Sequence, residues 1–247
     1  MKTTENTILI TGGGSGIGRE LARRFNELGN TVIVAGRRRE TLEETIAGRD
    51  HMHAMVLDVE EPEAISVFAG RVTAEYPALN VLINNAGIMR REDLTRTGDL
   101  RDAEKTIVTN LLGPIRLTNA LIGHLGSQPN AVIVNVSSGL AFVPLSGTPT
   151  YNATKAAVHS YTVSLREQLK GKVEVIELVP PAVQTELTPG QSTRDGYMPL
   201  DDFINETMAL FLQKSTPREI LVERVGFLRW AERDGHFDQA VEMLSAH

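Results

Sequence analysis

Short β-branched runs, several of them nearly all apolar, alternate along this chain with longer stretches whose apolar residues return every three or four positions. The runs cover residues 7–11, 31–35, 53–57, 81–84, 131–137, 173–179 and 219–223 and are rich in Val and Ile. A run that is apolar at almost every position predicts a parallel strand covered on both faces. The longer stretches, 17–28, 40–47, 63–76, 100–125 and 151–169, carry the helical period. The alternation predicts an α/β fold, a doubly wound parallel sheet with helices on both faces and right-handed crossovers. No Gly/Ser linker, low-complexity tract or internal repeat interrupts it, so residues 1–247 are expected to form a single domain. The least regular stretch, 184–200, contains Thr188-Pro189-Gly190 and Pro199. A turn-rich segment of that length predicts a lid or binding loop, and a substrate loop is expected around 184–213.

Composition narrows the chemistry. Of 247 residues, 41% are hydrophobic and 23% charged, which is ordinary for a globular protein large enough to bury a full core. The absence of cysteine removes disulfides, thiolate nucleophiles and Cys-ligated metals. A formal net charge of -6 argues against a general nucleic-acid binder. Nothing reaches the roughly 18 apolar residues of a membrane span, and residues 1–6 lack a signal-peptide core. A soluble cytoplasmic protein is expected, with no nucleic-acid or membrane partner.

Two motifs point to a dinucleotide. The first strand runs into Thr11-Gly12-Gly13-Gly14-Ser15-Gly16-Ile17-Gly18 and then a helix. Glycines let the backbone turn tightly against a pyrophosphate, and a helix N-terminus supplies free N–H groups and a favourable dipole. Strand, glycine loop and helix in that order are the context that gives such a loop meaning. The second strand ends at Gly36-Arg37-Arg38, where a carboxylate would hold the ribose hydroxyls of NAD. The forked guanidinium of Arg37 or Arg38 matches a 2′-phosphate instead, so NADP(H) is expected over NAD(H).

A third motif points to acid–base work. Tyr151 and Lys155 are four residues apart in a helical stretch and share a face. A tyrosine of pKa near ~10 is a poor acid or base at neutral pH, and a neighbouring cation favours its phenolate. Ser137-Ser138 closes the strand upstream, and the Ser138 hydroxyl can orient the group that exchanges the proton.

Together these residues resemble the short-chain dehydrogenase/reductase family in its short single-domain branch, over residues 7–185. Its elements recur in order as 11–18, Asp58-Val59, Asn84-Asn85-Ala86-Gly87, Asn110, Ser137-Ser138, Tyr151 to Lys155 and 180–185. The resemblance implies a Rossmann-like sheet of about seven parallel strands and a nicotinamide cofactor. It implies that Gly12, Ser15, Gly16, Ile17 and Gly18 hold the pyrophosphate and that Asp58, with Val59 beside it, meets the adenine. Asn85, Ala86 and Gly87 would line the ribose side. Asn110 would bend a helix and hold a relay water, Ser138 would orient substrate, Tyr151 would exchange the proton, and Lys155 would hold the nicotinamide ribose. The strand end Pro180-Pro181-Ala182-Val183-Gln184-Thr185 departs from the family's Pro-Gly turn. Pro181, Val183 and Thr185 are still expected to meet the cofactor, and because proline has no N–H any cofactor contact there must come from the Val183 N–H, the Thr185 hydroxyl or carbonyls. This feature, and a C-terminal stretch 222–230 without a Gly-rich turn, are similar to the DltE-like oxidoreductases.

The expected activity is an NADPH-dependent carbonyl reductase, reversible as an alcohol dehydrogenase, that self-associates as a dimer or tetramer through 100–125 and 151–169. The same relay also serves epimerases and dehydratases, and a NADP-sensing binding protein is a third reading. Leu140, Phe142, Val143, Leu187 and Met198 are expected to line a hydrophobic or aromatic substrate. His159, one turn beyond Lys155, is read as a packed histidine. His51 and His53 lack carboxylates at ligand spacing, so no metal site is expected.

Overall fold

The fold, a computed structural model describing residues 1–245, is built on one sheet of seven parallel strands in the order β3-β2-β1-β4-β5-β6-β7. These are β1 (Thr7–Thr11), β2 (Thr31–Gly36), β3 (Met52–Val56), β4 (Leu79–Asn84), β5 (Val132–Val136), β6 (Glu174–Val179) and β7 (Glu219–Leu221). All seven expected runs are strands, with ends displaced by at most two residues. The helices are α1 (Gly16–Glu27), α2 (Arg39–Ile46), α3 (Pro62–Glu75), α4 (Arg101–Ile107), α5 (Gly113–Leu125), α6 (Pro149–Gln168), α7 (Leu200–Phe211), α8 (Gly226–Arg229) and α9 (Phe237–Ser245).

The continuous apolar runs are explained by a core on each face. Ile8 and Ile10 of β1 point into one core with Phe25 of α1 and Phe203 and Phe211 of α7; Leu9 points into the other with Phe68 of α3 and Leu117 of α5. Chain order reverses between β1 and β4, which opens a crevice at the carboxyl ends of these strands.

Two expectations change. The stretch 184–213 is loop only to Pro199; residues 200–211 are helical, and Phe203, Ile204, Met208 and Phe211 bury its inner face. The helix expected over 100–125, bent at Asn110, is divided there into two by a π turn, Val108–Leu112. Pro114 lies four residues after Asn110 and has no N–H for its carbonyl, so regular α-helix cannot continue there. Gly113 follows because α5 presses on Val59: a Cβ at this position would stand 3.1 Å from the Val59 Cβ.

Candidate active site

A cleft of about 630 Å³ opens along the carboxyl ends of β1, β2, β4, β5 and β6. Its first wall is the glycine loop. Gly12 and Gly16 take the left-handed backbone that glycine favours, φ +65° and +50°. A Cβ on Gly18 would stand 2.4 Å from the Gly12 carbonyl oxygen and from Asn85 Nδ2, so only glycine lets α1 start this close to the loop. Asn85 clips the loop in place by donating from Nδ2 to the carbonyls of Thr11 (2.9 Å) and Gly12 (3.3 Å). Thr11 Oγ1 returns two bonds by accepting the N–H groups of Asn85 and Ala86. At the start of α1, Ser15 makes no side-chain cap and no acidic residue occupies the first turn. This glycine-lined, uncapped N-terminus fits a pyrophosphate.

At the end of β2, Arg37 and Arg38 line the cleft and are exposed. Arg37 donates to Glu60 Oε1 at 3.0 Å. Glu60 also accepts from Thr109 Oγ1 (3.0 Å) and stands 3.6 Å from the Lys105 ammonium. A carboxylate therefore sits beside the expected phosphate grip, 23 residues away in sequence.

Beneath the far end lie Ser138, Tyr151 and Lys155, all lining the cleft and all buried. The α6 helix holds the last two on one face, and Glu92 anchors its start by accepting from Thr150 N–H (3.0 Å) and Oγ1 (2.7 Å), a carboxylate at the positive end of the dipole. Lys155 Nζ donates to the Val136 carbonyl at 2.8 Å and lies 5.6 Å from the Tyr151 ring centroid. Burial pushes the Tyr151 phenol up to about 12, against a hydrogen bond from Ser138. Burial pushes the Lys155 ammonium down to about 8, against the charge of Glu177. Desolvation, not the expected neighbouring cation, dominates at Tyr151, which carries its proton at neutral pH. The arrangement can present a phenolic proton to an acceptor in the cleft.

Asn110 lies within the π turn, 1% exposed. Its side chain accepts the Ile88 N–H (2.8 Å), donates to the Ile88 carbonyl (2.8 Å) and reaches Thr154 Oγ1 (3.3 Å). Both amide protons and one lone pair of that side chain are committed to bracing the segment after Gly87 and to Thr154.

Ser15, Ile17, Val59, Ala86, Gly87, Pro181, Val183 and Thr185 line the cleft. Gly18 stands behind the loop. Asp58 does not line the cleft; its carboxylate accepts the Glu60 N–H at 3.0 Å in a local turn. Of the five apolar residues expected around substrate, only Leu187 lines it. Leu140 borders a separate groove with Val241, Val143 packs with Ala231 and Ala240, and Phe142 stacks edge-on against His159. Met198 is stitched to the strand end by its bonds with Ala182 and Gln184 and joins the core.

Residues not anticipated also shape the cleft, Glu60, Ile88, Glu186 and Gln191, and Arg90, which the sequence reads as half of a solvated Arg90-Arg91 pair, lines it too. Gln191 Nε2 donates to the Val183 carbonyl (2.8 Å) and Thr185 Oγ1 (3.1 Å), which folds the loop back on the strand end. Among the described residues no group of acidic and histidine side chains could hold a metal ion. No described helix is long and apolar enough to cross a membrane.

Comparison with known proteins agrees with this geometry. The family model for short chain dehydrogenases matches residues 6–195. The chain is 41% identical, over 99% of its length and 98% of the relative's, to the uncharacterized oxidoreductase DltE of Bacillus subtilis. It is 33% identical to the NADP-dependent 3-hydroxy acid dehydrogenase YdfG of Shigella flexneri over 70% of this chain and 71% of that one. A short-chain dehydrogenase structure from Streptomyces avermitilis superposes with TM-score 0.82 at 26% identity, covering 98% of this chain and 97% of that one.

The buried ammonium has a consequence for stability. Its folded pKa of about 8 lies below the reference 10.5, so between these values the unfolded chain binds more protons and stability rises with pH. Below that window the full cost of the buried charge is carried. Lys155→Met should therefore stabilise the protein at pH 7 by roughly 1–3 kcal/mol, with the gain shrinking toward pH 10. Urea unfolding at both pH values measures this, and destabilisation at pH 7 would mean that the Val136 hydrogen bond and the Glu177 charge outweigh desolvation.

Proposed function

The chain belongs to the short chain dehydrogenase family, and from that premise we propose that it is an NADPH-dependent oxidoreductase that reduces a ketone or aldehyde to an alcohol, reversibly. One observation carries this reading: a buried, protonated Tyr151 beside Ser138 and Lys155, at the floor of a cleft walled by a pyrophosphate-sized glycine loop. When bound, a nicotinamide cofactor supplies or accepts the hydride. The Ser138 hydroxyl orients the carbonyl oxygen, and Tyr151 Oη donates its proton to that oxygen as the carbon is reduced. The Lys155 ammonium stabilises the phenolate left behind, and in the oxidative direction the same phenolate takes the alcohol proton. Asn110 contributes by fixing Ile88 and the π turn. The Thr185 hydroxyl accepts from Gln191 and Leu187, which leaves its own proton to donate into the cleft.

Arg37 and Arg38 support NADPH as the reductant, as does the NADP dependence named for the 3-hydroxy acid dehydrogenase relative. Glu60 holds the Arg37 fork at the cleft edge, where a 2′-phosphate would compete for it.

The substrate is a small carbonyl compound. The apolar lining expected from sequence is represented in the cleft by Leu187, with Ile88, so a hydrophobic substrate finds limited support. A second reading, a carbonyl carrying an acidic group, is favoured by Arg90, which also lines the cleft two residues after Ile88.

Charge-assisted hydrogen bonds to Arg37 give the cofactor assignment its test. Arg37→Ala should weaken NADPH binding by about 10–100-fold and NADH binding by far less, measured by fluorescence titration; an unchanged ratio would refute the NADP preference. The acid–base assignment is tested by Tyr151→Phe. This variant should bind NADPH as the wild type does, yet lose turnover by about 10²–10⁴-fold. Steady-state rates near wild type in that variant would remove Tyr151 from the chemistry.

A further inference from the structure

A row of polar residues crosses the sheet one layer below the site. By strand register, Asn84 of β4 lies beside Asn135 of β5, Asn135 beside Glu177 of β6, and Glu177 beside Glu219 of β7. Helices on that face meet the row: Asn84 Nδ2 donates to Thr118 Oγ1 (3.1 Å) and to Asn135 Oδ1 (2.9 Å), and Asn135 Nδ2 donates to Thr162 Oγ1 (3.0 Å). Glu177 is 0% exposed. A carboxylate there costs several kcal/mol unless well paired, and an apolar residue would pack without that cost.

Its partners all lead to the site. Oε1 accepts from Ser137 Oγ at 2.5 Å, and Ser137 is the neighbour of Ser138. Oε2 meets His159 Nδ1 at 2.8 Å, one helical turn from Lys155 on the same face of α6. The backbone reinforces the clamp, since Ser137 N–H donates to the Leu178 carbonyl and Gly139 N–H to the Pro180 carbonyl. The Glu177 charge also acts on Lys155 through space, without an ion pair between them, opposing the effect of burial.

Other charged groups surround this carboxylate without replacing it. From α6 come Tyr151, Lys155, His159 and Arg166, the last donating to the Val175 carbonyl at 3.0 Å. From β7 comes Glu219, which is paired with Arg229 of α8 at 2.7 Å. Arg229 in turn covers the Phe142 ring (4.4 Å), whose edge meets His159. Glu219 is paired with Arg229, so of the carboxylates in this row the one whose charge acts on Lys155 is Glu177, with His159 as its nearer partner.

We propose that Glu177 is a positioning residue of this site: its carboxylate is the counter-charge of Lys155 and the clamp that fixes the strand end presenting Ser138. The proposal rests on the reading of Tyr151 and Lys155 as the acid–base pair, but its first test does not need turnover. In full-length protein labelled with [13Cε]lysine, with the Lys155 signal assigned through Lys155→Arg, the titration of Lys155 is followed by NMR without added cofactor. Glu177→Gln should lower the Lys155 pKa by about one unit, whereas Glu177→Asp, which keeps the charge, should leave it within half that shift. If Glu177→Gln does not fold, Glu177→Met gives the same reading. With substrate, the alkaline limb of the kcat profile should move down in step in the Gln variant, with KM changed less than about two-fold. An unmoved Lys155 titration in Gln or Met, or an equal shift in Asp, overturns the proposal. Failure of the parent reading would appear differently, as turnover surviving Tyr151→Phe while the NMR shift is still observed.

Discussion

The site depends on one buried ammonium. Lys155 reaches from α6 to the carbonyl of Val136 at the end of β5, and the bond is 2.8 Å in a setting that strips away water. A charge so placed requires neighbours that compensate it, and those neighbours define the local structure. Tyr151 stands one turn earlier, Glu177 lies below, and Gly87 leaves the space in front, where an added Cβ would come within 3.7 Å of Nζ. Burial moves both members of the pair in the direction that favours the neutral form. The tyrosine holds its proton firmly, and the lysine is brought toward the range in which a proton can be exchanged near neutrality.

The fold brings this ammonium to the cleft by topology. Parallel strands send all their carboxyl ends to one edge, and the reversal between β1 and β4 leaves a gap there. Into that gap come the glycine loop after β1, the arginines after β2, the Asn85 clip after β4 and Ser138 after β5. The π turn at Asn110 does comparable work on the helical side, because the same break that ends α4 turns an amide inward to hold both polar groups of Ile88.

Much of this was legible because it is local. Strand runs, the glycine loop and the i, i+4 spacing of Tyr151 and Lys155 are all written within a few consecutive residues. What escaped was contact across sequence. Glu60 meets Arg37 from another strand end, Gln191 folds its loop onto Val183, and Glu177 lies in a strand run where nothing local separates it from the exposed Glu174. Apolar residues misled for a related reason. Val143 and Met198 have the composition of a substrate wall, but burial against Ala231 and Ala240, or beside the strand end, satisfies a hydrophobic side chain equally well. Helix α7 was hidden because the turn-rich segment before it set the expectation for the residues that follow.

The central claim is that a protonated Tyr151, set by burial and served by Lys155, reduces a carbonyl with hydride from NADPH. The most direct measurement is NADPH absorbance with the purified protein and a panel spanning aliphatic aldehydes, aromatic ketones and oxo acids, with products identified by mass spectrometry. The account predicts that at least one class is reduced, with one alcohol formed for each NADPH consumed. NADPH bound by the protein but consumed with no carbonyl in the panel would contradict it.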